Sequence, residues 1–377
     1  MSQPFTINKY FRKLKDPRIN RHKKHLLIDI VTITICGVIC GCNDWQQIET
    51  FARCRHDWLK KFLHLPNGTP SHDTFERVFD RLDPLTFQAC FRDWMNALHK
   101  ALGLSPIAID GKTLRGSGVG GLKALHLVSA WATANCLSLG QVAVEEKSNE
   151  ITAIPRLLEL LDVHGALVTI DAMGCQKAIA AKIVDGGGDY ILTAKDNQPS
   201  LVSDIETCFE KAAEKDFVGV DHDSYTTKDT GHGREETRHY QIIVNPEEMP
   251  SRADWKELKV IGMCYTETER DGKVSSETHY FIGSRKAKAK VYGNALRGHW
   301  GIENKLHWQL DVGFDEDMNR VSKRHGAENL ALVRRLALSL LLQHPGKGSV
   351  PCKRLEAALN PEFLKEILVG DGNSGKI

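Results

Sequence analysis

Apolar residues in the first hundred positions recur every three to four residues. After Ile107 they gather into short unbroken runs. Leu26 to Gly41 is apolar on every side and long for a strand, which predicts a buried helix. Trp45, Ile48, Phe51, Ala52, Trp58, Leu59 and Phe62 mark one face of a second helix over 45–64, with Asn43-Asp44 as its cap. The turn Pro66-Asn67-Gly68-Thr69-Pro70 follows. One helix then opens at Ser71-His72-Asp73 with Phe75, Val78, Phe79 and Leu82 on its apolar side, and another runs from Asp83-Pro84 to about Leu102. Residues 1–104 are therefore expected to form an all-helical N-terminal domain.

Beyond it the reading is α/β. Ile107–Ile109, Leu125–Ala134, Leu139–Val144, Leu167–Ile170 and Tyr190–Ala194 read as strands. Helices are expected over 150–162 and 174–184, the second ended by Gly186-Gly187-Gly188. This alternation predicts a layered α/β domain with a mixed sheet over 105–344. Residues 198–290 interrupt it with strand-like runs at Thr237–Val244, Val260–Thr266 and Thr278–Ile282 and a hairpin signal at Asp271-Gly272, so a β-rich insertion is expected there. Helices return over about 288–310 and 326–342. Residues 345–377 read as a C-terminal tail, loose over its last eight positions.

Composition adds class more than function. With 41% hydrophobic and 26% charged residues the chain is of the soluble globular type. A net charge of +2 neither favours nor excludes a nucleic-acid partner, but the charge is uneven. Residues 1–25 hold eight Lys/Arg against one Asp, while residues 197–290 carry a net −4. The basic front, broken by Pro17, reads as an arm or a short helix placed to meet phosphates. Leu26–Ile39 is too short to span a bilayer and contains Asp29, and no secretory segment is visible, so a cytoplasmic protein without a membrane partner is expected. Ten cysteines show no C-x-x-C spacing. Cys36, Cys40, Cys42 and Cys54, with His56 and His64 nearby, suit core positions better than a zinc site.

The chemistry gathers on carboxylates. Two apolar runs end in an acid, at Asp110 and Asp171. Gly111 keeps the backbone close to whatever Asp110 holds, and Lys112 and Arg115 follow. On neighbouring strands the two acids would repel unless a cation sat between them. Carboxylates without Cys or His select Mg²⁺ or Mn²⁺. A two-metal site asks for a third acid, which Glu303 on the downstream helix offers, with Asp311, Asp315, Glu316 and Asp317 beyond it. The last three read as a solvated acidic turn. A competing pattern is His299, Glu303 and His307 at i, i+4 and i+8, a row that could take Zn²⁺ but leaves Asp110 and Asp171 without a purpose.

Three stretches, I-D-G-K-T-L-R-G-S at 109–117, T-I-D-A-M-G-C-Q at 169–176 and H-W-G-I-E-N-K-L-H-W-Q-L-D-V at 299–312, resemble the DDE transposases of bacterial insertion sequences, in particular the H-repeat-associated group. The resemblance covers nearly the whole chain. It implies an RNase H-like catalytic domain with a β-rich insertion before the last acidic helix, and DNA cleavage and strand transfer with two Mg²⁺ (or Mn²⁺) ions. By position it implies a triad of Asp110, Asp171 and Glu303. The expected partners are DNA, at the element's ends and at the target, and a second copy of the chain on that DNA. One departure stands out: where many relatives place Tyr, Arg and Lys around the third acid, this chain has Leu296, His299 and Leu310. His299 is then a candidate phosphate contact, with packing beside Trp300 as the alternative. The other candidate phosphate contacts are Arg18, Arg21, Lys23, Lys24, Lys112, Arg115, Arg285, Lys286, Lys288, Lys290 and Arg297. Two rivals are an immobile DNA-binding relative without catalysis, against which the three acids speak, and an RNase H-like nuclease that never joins strands.

Overall fold

The computed structural model describes residues 6–19, 21, 23–103, 105–118, 123–145, 148–231 and 233–369. Its helices are α1 (Thr6–Phe11), α2 (Leu27–Ile39), α3 (Trp45–Cys54), α4 (His56–Leu59), α5 (His72–Arg81), α6 (Pro84–Leu102), α7 (Glu150–Leu160), α8 (Lys177–Asp185), α9 (Pro199–Glu214), α10 (Ala289–Ile302), α11 (Trp308–Phe314), α12 (Gly326–Gln343), α13 (Val350–Leu359) and α14 (Pro361–Val369). The strands are β1 (Ile107–Leu114), β2 (Leu125–Ala132), β3 (Leu137–Ala143), β4 (Leu167–Ile170), β5 (Asp189–Ala194), β6 (His222–Gly231), β7 (Arg234–Val244), β8 (Val260–Arg270) and β9 (Lys273–Gly283). They pair in the order β3-β2-β1-β4-β5-β9-β8-β7-β6, a large mixed sheet. Among the described residues no helix is long and apolar enough to cross a membrane.

The chain divides into two compact units. The first collects Met1–Gly103, Gly111–Glu146 and Glu303–Ile377, so the helices of the first hundred residues share a unit with β2, β3 and the C-terminal helices. Its centre is α12, buried almost all round because Leu, Ala and Val fill nearly every face. It packs against α2, α5, α6 and β3. The caps follow sequence chemistry. Asp44 accepts from the Gln47 N–H at 2.8 Å and Asp83 from the Thr86 N–H at 2.9 Å, each satisfying an otherwise unpaired helix donor.

Three expectations change in this unit. The helix foreseen over 45–64 breaks at Arg55, whose backbone leaves helical geometry (φ −105°, ψ 13°) and whose guanidinium donates to the Ala358 carbonyl. Of the two readings of the basic front, arm or short helix, the helix holds and the arm does not: in α1, Ile7 and Phe11 are buried, and Phe11 meets Phe87 and Trp94 at ring distances of 5.6 and 6.5 Å. Residues 345–369 are not a tail, because α13 and α14 bury Val350, Ala357, Phe363, Leu364, Ile367 and Leu368. The looseness expected of 370–377 falls outside the described residues.

The second unit holds Leu104–Asp110 and Lys147–Ile302. β1, β4 and β5 run parallel, as connections through α7 and α8 require, and β9 adds antiparallel to β5. β6 to β9 form an antiparallel meander that continues the same sheet, so the β-rich stretch is an extension of it. Asp271 and Gly272, both at positive φ (52° and 72°), close the β8–β9 hairpin. Gly262 on β8 has to lack a side chain, since a Cβ there would lie 2.1 Å from the Phe281 ring. Tyr240, Ile242, Val260, Phe281, Tyr292 and Ala295 form the core beneath α10. β6 was invisible in the sequence because H-D-S-Y-T-T-K-D-T-G has no apolar run, and its residues are exposed or half-buried along its length.

Candidate active site

β1 and β4 are parallel neighbours with Ile109 opposite Ile170, so Asp110 and Asp171 are the next residues on adjacent strands. Parallel strands lie about 4.8 Å apart, which sets the two backbones side by side where β4 ends and β1 runs on to Leu114. Both acids are half-buried. Asp171 Oδ1 accepts the Gly174 N–H at 3.3 Å, as a turn carboxylate does. Burial raises its pKa above the ordinary carboxylate value, against that hydrogen bond, and the charge of Glu150 adds to the rise. An acid held at such a cost is a common mark of a functional position.

Two residues before Asp171, Thr169 faces α10. Its Oγ1 and His299 Nδ1 share a hydrogen bond of 3.0 Å, which fastens the last turn of α10 to β4. His299 is buried, and burial lowers its pKa to about 4, so the ring is neutral at physiological pH. The phosphate contact suggested for His299 is thereby corrected: it is a packing and anchoring residue. Glu303 comes four residues later, exposed, as the first residue of a π-helical turn over Glu303–His307. A π turn inserts an extra residue into the helical phase and recurs at functional sites. It also breaks the row proposed for zinc, since His299 is buried, Glu303 exposed and His307 half-buried. Among the described residues no group of three or more His, Cys, Asp or Glu side chains is set to hold a metal ion.

The rest of the I-D-G-K-T-L-R-G-S stretch does structural work within the first unit. Lys112 is buried and its Nζ donates to Asp311 at 2.6 Å and to Asp317 at 3.2 Å, with Glu316 at 3.9 Å. Glu316, also buried, accepts from Arg335 Nη1 at 2.9 Å. Gly116 presses on the same segment: a Cβ there would lie 2.4 Å from the Asn319 carbonyl oxygen and 2.6 Å from that of Asp317. Two expectations are corrected together. Lys112 is a buried counter-charge rather than a phosphate contact, and Glu316 and Asp317 belong to an ionic core rather than to a solvated turn, which leaves only Asp315 exposed.

The remaining cations sort by partner. Arg18 pairs with Asp16 at 2.8 Å and donates to the His25 carbonyl, and Lys23 shares Asp16. Arg285 is held by Asp189 and the Gly165 carbonyl, and Arg297 by Asp229 at 2.9 Å. Arg115 is exposed, 3.7 Å from Asp317. Arg21, Lys24, Lys286, Lys288 and Lys290 are exposed. Sequence reasoning missed Thr169 as the partner of His299, although both lie inside quoted motifs, and missed Arg335, because an Arg in an apolar helix gives no local sign of its acid.

Asp110 and Asp171 stand level on neighbouring parallel backbones, and Glu303 opens a helical irregularity further along the chain. The chain belongs to the DDE transposase family: the family model described as "Transposase DDE domain" matches residues 102–340, and "DDE_Tnp_1-associated" matches residues 8–95. It is 41% identical over 373 residues to "Putative transposase YncI" of Escherichia coli O157:H7, covering 97% of this chain and 95% of that one. It is 39% identical over 359 residues to "H repeat-associated putative transposase YhhI" of Escherichia coli strain K12, covering 93% and 94%. A solved piggyBac transposase synaptic complex with hairpin DNA aligns over 98% of this chain and 81% of that one at 9% identity, with a TM-score of 0.33. The protein is a DDE-type DNA transposase.

Proposed function

We propose that Asp110, Asp171 and Glu303 are the catalytic acids of this transposase and that they hold two Mg²⁺ (or Mn²⁺) ions. The observation that carries the reading is the register of β1 on β4, which brings two like-charged groups level at the end of β4 inside two of the family's motifs. An all-oxygen donor set suits hard divalent ions. When bound, such ions supply Lewis-acid activation of water and of the phosphoryl oxygens.

The chain's own residues hold and orient. Gly174 N–H fixes the Asp171 carboxylate, and the Thr169–His299 bond anchors the helix that leads into Glu303. The reaction is two in-line displacements at phosphorus. Water first cleaves a phosphodiester at an end of the element and frees a 3′-OH. That hydroxyl then attacks a phosphodiester of the target, and the displaced target strand leaves as its own 3′-OH. In this reading residues 105–344 are an RNase H-like catalytic domain, residues 1–104 help to hold DNA, and a cytoplasmic homodimer on the element's ends is the working form.

Mn²⁺ binding followed by electron paramagnetic resonance tests the donor set apart from turnover. Asp110→Asn, Asp171→Asn and Glu303→Gln are each expected to weaken binding by tenfold or more, about 1.4 kcal/mol or above. Equal binding in all three and in wild type would place the ions elsewhere.

A further inference from the structure

Between α5 and the turn that leads into α12, both in the first unit, lies a cleft of about 350 Å³ lined by Arg77, Asp80, Arg81, Lys323 and Arg324. Four of its five side chains are cations, and Arg77, Arg81, Lys323 and Arg324 are all exposed. The turn itself, Asn319 to His325, reads N-R-V-S-K-R-H and contains three Lys/Arg and no acid.

The acids around the cleft do not cancel this charge. Lys323 is paired with Glu76 at 2.8 Å, and Arg77 lies 3.8 Å from Asp73 on its own helix. Asp80 forms the floor, with Oδ1 buried and turned against Gly326, where a Cβ would lie 2.4 Å away. Among the described residues the side chains of Arg81 and Arg324 have no ion-pair or hydrogen-bond partner, and the charge of both acts on Asp80. Arg324 also adopts left-handed backbone geometry, φ 40°, a conformation that costs a non-glycine residue energy and that gathers at binding sites. Two unpaired guanidiniums on opposite walls of a cleft, offered to solvent, suit the bidentate geometry of a phosphate.

We propose that this cleft is a phosphate-backbone contact for duplex DNA, gripped by Arg81 from α5 and Arg324 from the turn before α12. It rests on the transposase reading for the identity of the polyanion, and it adds a contact that the basic front of the chain did not suggest. Such contacts position the duplex and carry no base information.

The test uses the full chain and a labelled mixed-sequence duplex, with affinity measured from roughly 50 to 200 mM salt. Arg81→Gln combined with Arg324→Gln is expected to flatten the slope of log K against log salt by about 1.8, two contacts at about 0.9 each, with an affinity loss of roughly tenfold. Arg81→Lys combined with Arg324→Lys keeps both charges and should keep the slope. Both residues are exposed, so thermal unfolding should match wild type and certify the fold. A slope unchanged in the glutamine pair, with wild type binding normally, overturns the cleft while leaving the transposase reading intact. A wild-type protein that does not bind the duplex at all overturns both.

Discussion

At the residue scale the contrast between two helices is instructive. His299 and Glu303 sit four positions apart, yet one is buried against Thr169 and the other is exposed, because a π turn begins at Glu303. Periodicity assumes an unbroken α-helix, so the sequence could show the motif but not the change of phase that sets its acid apart. Asp29 is a second residue whose state the sequence left open. It is 2% exposed on α2, its Oδ2 has no partner, and burial raises its pKa from 3.8 to about 6 against a hydrogen bond from the His64 main chain. A folded pKa above the unfolded one means that stability from the protonated form is full below about pH 4 and is lost as the pH climbs through about 6. Asp29→Asn removes the buried charge. It should be more stable than wild type at pH 7 by up to about 3 kcal/mol, and the gap should close below about pH 4. Thermal unfolding across that range checks it, and a gap that does not move with pH would refute the assignment.

At the scale of elements the apolar runs were legible and the ionic cores were not. Leu27–Ile39, Leu167–Ile170 and Gly326–Gln343 follow directly from hydrophobic pattern, since each is buried on nearly every side. Lys112 and Asp311 are 199 positions apart, a pairing that no local rule can reach. Once seen, the network explains why a lysine stands two residues after Asp110: it donates to Asp311 and Asp317, while Arg335 donates to Glu316. Lys112→Met should leave those half-buried acids without their buried cation and destabilise the first unit by roughly 1–3 kcal/mol. The paired change Lys112→Met with Asp311→Leu should recover a large part of that loss. Chemical denaturation of the single and double variants measures the coupling, and strict additivity would mean that the contact contributes nothing.

At the scale of the whole molecule, the two acids Asp110 and Asp171 lie in one compact unit, and Glu303 opens the last segment of the other. The charge asymmetry that suggested a DNA-binding arm is real in the sequence, but α1 is folded into the core through Ile7 and Phe11. Removing residues 1–25 would therefore report on folding as much as on DNA. Neutralising exposed cations is the cleaner probe. The central claim is that three carboxylates, far apart in sequence, make one catalytic set. Its most direct test is a cleavage and strand-transfer assay with Mg²⁺ and DNA carrying the ends of the element that encodes this chain. Wild type should yield a free 3′-OH at the element's end and a joined product. Asp110→Asn, Asp171→Asn and Glu303→Gln should each lose both products by a factor of 10³ or more, roughly 4 kcal/mol of transition-state stabilisation, while still folding and binding DNA. Normal cleavage by any one of the three would contradict the account.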